Sequence, residues 1–137
     1  MPASHQDLLA RPVLGILATM MADGQPQASL VWVDYDGTYV LINTEMGRQK
    51  CKNMQANPRA TLLVVDPNMS SRWIELRCLL AGITTDGAVP HADKLAQRYL
   101  GKQHFYGEVY KVEWKQYERR VIVKLAPVKM TLDAIFK

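Results

Sequence analysis

The chain has 137 residues, 48% hydrophobic and 22% charged, with 17 basic and 13 acidic side chains for a net charge of +4. This is the composition of one globular domain over residues 1–137. It lacks an apolar run of the roughly 18–20 residues that cross a membrane, and we expect no secretory signal. With two cysteines outside any C-x-x-C pair, we expect reduced thiols, a cytoplasmic location and no membrane partner. The positive charge is too small and local to predict a nucleic-acid partner.

The first part of the chain predicts strands joined by tight turns. The expected elements are a helix over 4–10 and strands over 13–21, 27–33 and 38–43. Asp23-Gly24 and Asp36-Gly37 are hairpin signals, because these residues tolerate the positive φ of tight turns. We therefore expect the three strands to form an antiparallel meander.

The rest of the chain predicts more strands, with helices between them. The expected elements are helices over 46–56 and 91–100, strands over 60–65, 73–84 and 120–125, and a short edge strand from Pro127 to Lys137. Pro58 and Gly101 mark the ends of the two helices, whereas residues 102–118 follow no regular pattern. Six or seven short strands with few helices predict a mainly β fold, a closed or split β-barrel, because such sheets need closure or cover.

The helix over 46–56 and its flanks form the most informative segment. The twelve residues from Arg48 to Arg59 hold four basic side chains and no acidic one, so the whole net charge lies here. Cations oppose the helix dipole at its start, whereas backbone N–H groups joined by Arg and Lys bind a phosphate or carboxylate. The segment is therefore either an anion site or a solvated basic face.

No residue set suggests catalysis without a cofactor. The three histidines lack the spacing of a metal site, so no metal is predicted, and the phosphate-loop and hydrolase-elbow motifs are absent. Three carboxylates at predicted turns are assigned to turn formation: Asp34, Asp36 and Asp66. An anion site without a catalytic set is typical of a protein whose chemistry comes from a bound cofactor.

Short motifs over residues 11–125 match a known superfamily in order and spacing. They are Leu17-Ala-Thr19, Asp23-Gly-Gln-Pro-Gln27, Val31-Trp-Val-Asp34, Ile42-Asn-Thr44, Gly47-Arg-Gln-Lys50 with Asn53, Asn57-Pro-Arg59, Val65-Asp-Pro67, Trp73-Ile-Glu-Leu-Arg77, and His91 with Asp93, Leu95 and Arg98-Tyr-Leu-Gly101. The chain resembles the split-barrel flavin and deazaflavin oxidoreductases, the superfamily of pyridoxamine phosphate oxidase. Within it, the chain is most similar to the branch that uses coenzyme F420, a deazaflavin with a phosphate and an oligoglutamate tail.

This resemblance implies a homodimeric split β-barrel with two cofactor sites at the subunit interface. Its phosphate ligands would be Arg48 and Lys50, with Thr44 beside them at the strand end and Lys52 and Asn53 at the next turn. Lys52 lies four residues after Arg48, on the same helical side, and would reach either the cofactor tail or water.

The resemblance also places the cofactor ring along the second strand. The implied ring contacts are Ser29, Leu30, Val31 and Trp32. Trp73 and Arg77 would come from the other subunit. Packing is the alternative role for Ser29 and Trp32, and a dimer-interface anchor is the alternative for Trp73.

The leading hypothesis is an oxidoreductase that passes a hydride from reduced F420 to a small unsaturated or conjugated substrate. The first alternative is an FMN-dependent oxidase or flavin reductase, because the FMN phosphate would suit Arg48 and Lys50 equally well. The second is a non-catalytic module that stores a cofactor or binds haem. Lys52 and Arg59 favour F420, whose anionic tail would find them along its path. The sequence assigns no acceptor and no proton donor.

Overall fold

The computed structural model describes residues 1–133. The elements, in chain order, are α1 (Asp7–Ala10), β1 (Gly15–Met20), β2 (Pro26–Val31), β3 (Asp34–Tyr35), β4 (Val40–Glu45), α2 (Gln49–Ala56), β5 (Arg59–Val65), β6 (Trp73–Thr84), α3 (Ala88–Leu100), a 3-10 helix (Val112–Gln116) and β7 (Arg120–Leu132). All seven strands belong to one antiparallel sheet, in the order β2-β1-β5-β6-β7-β4-β3. The prediction of a mainly β fold with short helices is confirmed.

The core lies on one face of this sheet, because alternate side chains of each strand point to opposite sides. On β4 and β7 the buried aliphatic positions alternate with partly exposed ones. Two short helices cover this face, α1 with Leu8 and Leu9 and α2 with Cys51 and Met54, all fully buried. The two cysteines are buried free thiols, as expected. No helix within residues 1–133 is long and apolar enough to cross a membrane.

The expected three-stranded meander is wrong. β1 and β2 form the Asp23-Gly24 hairpin, and β3 and β4 form the one at Asp36-Gly37. β2 and β3, however, lie at opposite edges of the sheet. The two hairpin turns are local, whereas the choice of partner for β2 depends on how the whole sheet curls.

Two residues carry the chain from β2 to β3, from one sheet edge to the other. Val33 is fully buried at this crossing, and a Cβ atom on Gly15 would lie only 2.8 Å from its Cγ2. The Val33 backbone N–H donates to the Tyr99 hydroxyl at 2.8 Å, and that hydroxyl donates to the Val13 carbonyl at 2.7 Å. The crossing is therefore fixed by close packing and by α3.

The expected break at Pro127 is also wrong, since β7 runs through it to Leu132. β4 pairs with β7 only as far as Leu125, and the pairing of β7 with β6 shifts register next to Pro127. A proline is tolerated at such an edge or bulge because its missing N–H is not needed. The remainder of the predicted edge strand, residues 134–137, lies outside the described residues.

The predicted helix starts also differ. α2 begins three residues later than expected, because Met46 and Gly47 form a turn in which the Arg48 N–H donates to the Glu45 carbonyl at 3.0 Å. α3 begins three residues earlier, at Ala88. Pro90 lies in its first turn, where no N–H is required. The predicted end of α3 at Gly101 is confirmed by a left-handed backbone with φ of 68°.

Candidate functional site

A cleft of about 340 Å³ lies beside the edge strand β2 and the end of β4. β3 pairs with β4 only at Val40 and Leu41, so the next part of β4 extends beyond β3. The residues that line the cleft are Leu14, Leu30, Val31, Trp32, Asn43, Thr44, Arg48, Lys50, Phe105, Val109, Tyr110 and Arg120. The fold therefore brings the end of β2 and the start of α2 to one site.

Six of the residues expected at a cofactor lie on this cleft. They are Leu30, Val31, Trp32, Thr44, Arg48 and Lys50. The first three come from the end of β2 and the crossing. The others come from β4 and the start of α2.

Three cations converge on the cleft, and none of its described lining residues is a carboxylate. Arg48, in the N-cap position of α2, donates to the Tyr110 hydroxyl at 3.0 Å. Lys50 is half-buried, and its burial, with the nearby Arg48 and Arg120 guanidinium groups, lowers the pKa of its ammonium group. The third cation is Arg120. This arrangement suits an anion with more than one negative charge.

Sequence reasoning missed Arg120. Its side chain is only 7% exposed, and its nearest carboxylate oxygen, on Glu118, is 3.8 Å from a terminal guanidinium nitrogen. The guanidinium carbon lies 4.5 Å from the centre of the Phe105 ring, which holds it by cation–π attraction. Arg120 escaped notice because it opens a predicted strand in a segment where basic and acidic residues alternate.

Residues 102–118, which the sequence left unassigned, form the aromatic wall of the cleft. Phe105 and Tyr110 lie with ring centres 4.7 Å apart, and both line the cleft. Tyr106 is buried behind them, and its hydroxyl donates to Glu118 at 2.6 Å. Burial and this contact with Glu118 raise the pKa of Tyr106. Its proton is therefore firmly held at neutral pH.

Trp32 has the packing role considered for it, and its contact with a cofactor ring stays a prediction. Its ring stacks on Tyr99 with centres 5.3 Å apart and planes at 14°, and it meets Phe105 edge-on at 6.2 Å. It also lines the cleft. The crossing between β2 and β3 thus presents a fixed aromatic surface.

Lys52 and Asn53 do not lie on this cleft. Arg48 has an extended backbone, with φ of −69° and ψ of 147°, so Lys52 does not follow it on one helical face. Lys52 and Asn53 border another cavity. Asn53 is 4% exposed, and it donates to the Thr19 hydroxyl at 3.1 Å and accepts from Gln49 at 2.7 Å, so it has a structural role.

The remaining residues that were expected to contact a cofactor also lie away from this cleft. Ser29 precedes Leu30 on β2 without lining the cleft, and its enclosed hydroxyl has no hydrogen-bond partner among the described residues. Trp73 and Arg77 lie together on β6, at a separate depression on the outer sheet surface. Their contribution from a second subunit stays a prediction.

Asp34 is more than the turn residue expected from the sequence. It lies on β3, is 2% exposed, and accepts hydrogen bonds at 3.0 Å from each of His91, Lys94 and Arg98 on α3. Burial acts to raise the pKa of Asp34, but the hydrogen bonds from His91 and Lys94 and the charge of Arg98 outweigh it and hold the pKa well below its usual value. The i, i+3 and i+7 spacing on α3 was the available signal. Asp36 and Asp66 accept backbone N–H bonds within their turns, as expected.

Asn43 is a second residue that the sequence did not assign. Its Nδ2 donates to the Ala88 carbonyl at 2.8 Å and to His91 Nδ1 at 3.1 Å. Its Oδ1 is enclosed and has no hydrogen-bond partner among the described residues. The ion cluster that Asp34 forms with His91, Lys94 and Arg98 is therefore connected to the cleft through His91 and Asn43.

Residues 1–132 match the sequence profile of the family described as pyridoxamine 5'-phosphate oxidase. The chain belongs to this family. Its membership confirms the resemblance first seen in short motifs. Because the match extends over nearly all of the described chain, it includes every strand and the whole cleft.

Solved structures similar to this pyridoxamine 5'-phosphate oxidase family member include an F420 reductase. That protein is 30% identical, with a TM-score of 0.79, and the match covers 96% of this chain and 98% of the other. A conserved hypothetical protein from Mycobacterium tuberculosis is 23% identical, with a TM-score of 0.73 and coverage of 96% and 84%. HutZ, the haem storage protein from Vibrio cholerae, is 10% identical, with a TM-score of 0.66 and coverage of 94% and 92%. The expected split-barrel fold is confirmed, and the last two likenesses show the fold alone.

Proposed function

We propose that this protein is an oxidoreductase that uses coenzyme F420 to reduce a small unsaturated or conjugated substrate. The observation that carries this proposal is the cleft itself, in which Arg48, Lys50 and Arg120 adjoin an apolar and aromatic wall. A ligand that joins a flat ring to a phosphate matches both parts. The 30% identity to an F420 reductase over almost the full length of both chains supports F420 as that ligand.

The residues of the cleft fit such a cofactor. Arg48 and Lys50 would hold the phosphate, since both are donors next to the start of α2 and no carboxylate among residues 1–133 lines the cleft to neutralise them. Leu30 is 66% exposed and offers apolar surface to a ring. Trp32 and Phe105 would exclude water and fix the ring orientation. When bound, F420 would supply the hydride, and the protein would supply position and shielding.

We further propose a homodimer in which the partner covers the outer face of the sheet and completes the site. Two large apolar side chains are exposed beside Arg77 on this face: Leu79 is 40% and Val128 61% exposed. Trp73 and Arg77 lie on the same face of β6. A second copy packed there would cover the apolar side chains and bring these two residues near a cofactor.

FMN remains the second candidate, and one observation favours it. Lys52 and Arg59, expected along the path of an oligoglutamate tail, border other cavities. Arg48 and Lys50, without cations for a tail, suit a single phosphate group, which FMN carries as well.

Titration of the purified protein with F420 and with FMN tests the choice. We expect tighter binding of F420, followed by oxidation of the reduced cofactor when conjugated acceptors are added. Tighter FMN binding would replace F420 with FMN. Tight binding of either cofactor without turnover across varied acceptors would favour a storage module.

A further inference from the structure

Two enclosed polar atoms on residues that line the cleft have no hydrogen-bond partner among residues 1–133. One is an acceptor, Asn43 Oδ1, and the other is a donor, Arg120 Nε. Enclosed polar atoms are paired in the great majority of cases, and each exception calls for an explanation. An unpaired acceptor and an unpaired donor on one wall are complementary to a ligand edge that carries both.

The sheet register places these two residues side by side. Asn43 on β4 lies opposite Ile122 on β7, and Glu45 lies opposite Arg120. Asn43 and Arg120 are therefore diagonal neighbours on the same face of the sheet. Such pairs have Cα atoms about 7–8 Å apart, which long side chains can span. One flat ligand edge can thus meet both side chains.

The orientation of the Asn43 amide is fixed by its surroundings. The Ala88 carbonyl can only accept, so the atom that faces it at 2.8 Å is Nδ2. The ionised Asp34 carboxylate accepts from His91 Nε2, which leaves Nδ1 with the lone pair that receives the second Nδ2 hydrogen. Oδ1 is consequently held as an acceptor. Asp34 and His91 act as positioning residues for it.

Arg120 is held in an equally defined way. Its guanidinium lies over Phe105 at 4.5 Å and near Tyr110 at 5.8 Å, while its terminal nitrogen pairs loosely with Glu118 at 3.8 Å. These contacts do not use the Nε–H. The planar guanidinium loses less conformational freedom per hydrogen bond than a lysine ammonium group would.

We propose that Asn43 and Arg120 recognise the amide edge of the ligand ring, with Asn43 Oδ1 accepting a ring N–H and Arg120 Nε donating to the adjacent ring carbonyl. This inference rests on the proposed function and identifies the part of the cofactor ring that the protein recognises. Flavins and deazaflavins share such an edge in their pyrimidinedione ring. Small side-chain movements on ligand binding, which are common at binding surfaces, would bring both atoms into contact.

Paired ligands with and without the phosphate test the inference. We would measure dissociation constants for F420 and its phosphate-free ribityl deazaflavin, and for FMN and riboflavin. Asn43→Leu removes the acceptor at similar size, and Arg120→Lys keeps the charge but removes Nε. Each should weaken both members of a pair by the same factor, about 3- to 10-fold, as one hydrogen bond is worth. Arg48→Ala is the matched control and should weaken only the phosphate-bearing member.

The outcomes separate the two proposals. Unchanged binding of the phosphate-free ligands by both variants would overturn the ring-edge inference alone. If the variants weaken binding by these factors but the wild-type protein shows no turnover, the ring-edge inference stands and the proposed enzyme activity is overturned. If the wild-type protein binds no member of either pair, both fall.

A measurement on the wild-type protein avoids any folding defect in the variants. With nitrogen-15-labelled riboflavin bound, the ring imide proton should exchange with water at least 10-fold more slowly than in the free ligand. Exchange at the free rate would show that no acceptor meets this N–H, and it would overturn the inference.

Discussion

Asp34→Asn tests the buried ion cluster that Asp34 forms with α3. The substitution keeps the size of the side chain but removes the charge that His91, Lys94 and Arg98 share. The new amide also has only one acceptor oxygen, so its NH2 group would face donors. We expect a large loss of stability from a change that leaves the volume of the core unaltered.

The magnitude follows from the exposure of each partner. Breaking a buried, hydrogen-bonded ion pair costs about 3–5 kcal/mol. Lys94 is 57% exposed and Arg98 is 21% exposed. Solvent screening therefore reduces the contribution of each of these ion pairs to stability, and that of Lys94 most. We therefore expect a decrease of about 3 kcal/mol in the free energy of unfolding. For a domain of this size, this lowers the melting temperature by about 10 °C.

The pH dependence gives a second, independent check. The folded-state pKa of Asp34 lies below its usual 3.8. The cluster therefore contributes its full stability above about pH 4 and loses it as the pH falls further. Melting curves followed by circular dichroism between pH 7 and pH 3 should show wild type and Asp34→Asn converging at the acid end.

Asp36→Asn is the matched control. Asp36 is an exposed turn carboxylate that accepts two backbone N–H bonds, from Thr38 and Tyr39. Its loss should cost about 1 kcal/mol. Equal effects of the two substitutions, or a difference between wild type and Asp34→Asn that persists unchanged to pH 3, would refute the argument.

Four further predictions concern the cleft, the assembly and the thiols. Arg48→Ala and Lys50→Ala should each weaken the binding of the phosphate-bearing cofactor by about 1.5–3 kcal/mol in a titration; an unaltered affinity in the double variant would place the phosphate elsewhere. Added salt should weaken F420 binding more than FMN binding, because the oligoglutamate tail of F420 adds charges at the solvent edge, where ion pairs are screened; the opposite order would favour FMN. Sedimentation should show a dimer that Val128→Glu dissociates, whereas a stable monomer at micromolar concentration would exclude the shared site. Burial raises the pKa of the Cys78 thiol to about 12, so at pH 8 it should react with thiol reagents only on unfolding, and rapid labelling of the native protein would contradict its burial.

Local signals predicted the features that depend on a few adjacent residues. The turn at Asp23-Gly24, the end of α3 at Gly101 and the length of β6 all agree with the sequence prediction. Each follows from turn chemistry, capping or alternation within one segment. Arg48 and Lys50 were expected together for the same reason, since they are adjacent to one helix start, and both line the cleft.

The features that were missed arise between distant segments. The crossing at Trp32 and Val33 depends on the curl of the whole sheet, which the sequence of neither hairpin determines. Arg120 enters the cleft because β7 pairs with β4, about 80 residues earlier in the chain. The role of Asn43 became visible only in the structure, where α3 places His91 beside it. Spacing along the sequence does not reveal such pairs.

The position of β7 between β4 and β6 has a consequence for biosynthesis. When ribosomal synthesis has reached only the 3-10 helix, β4 lacks its longer partner strand and β6 lacks one of its two. Arg120 has not yet been added either. The nascent chain therefore cannot assemble the cleft until β7 emerges, and until then it exposes unpaired strand edges that are prone to aggregation. A cofactor of this protein would be captured only after β7 has left the ribosome.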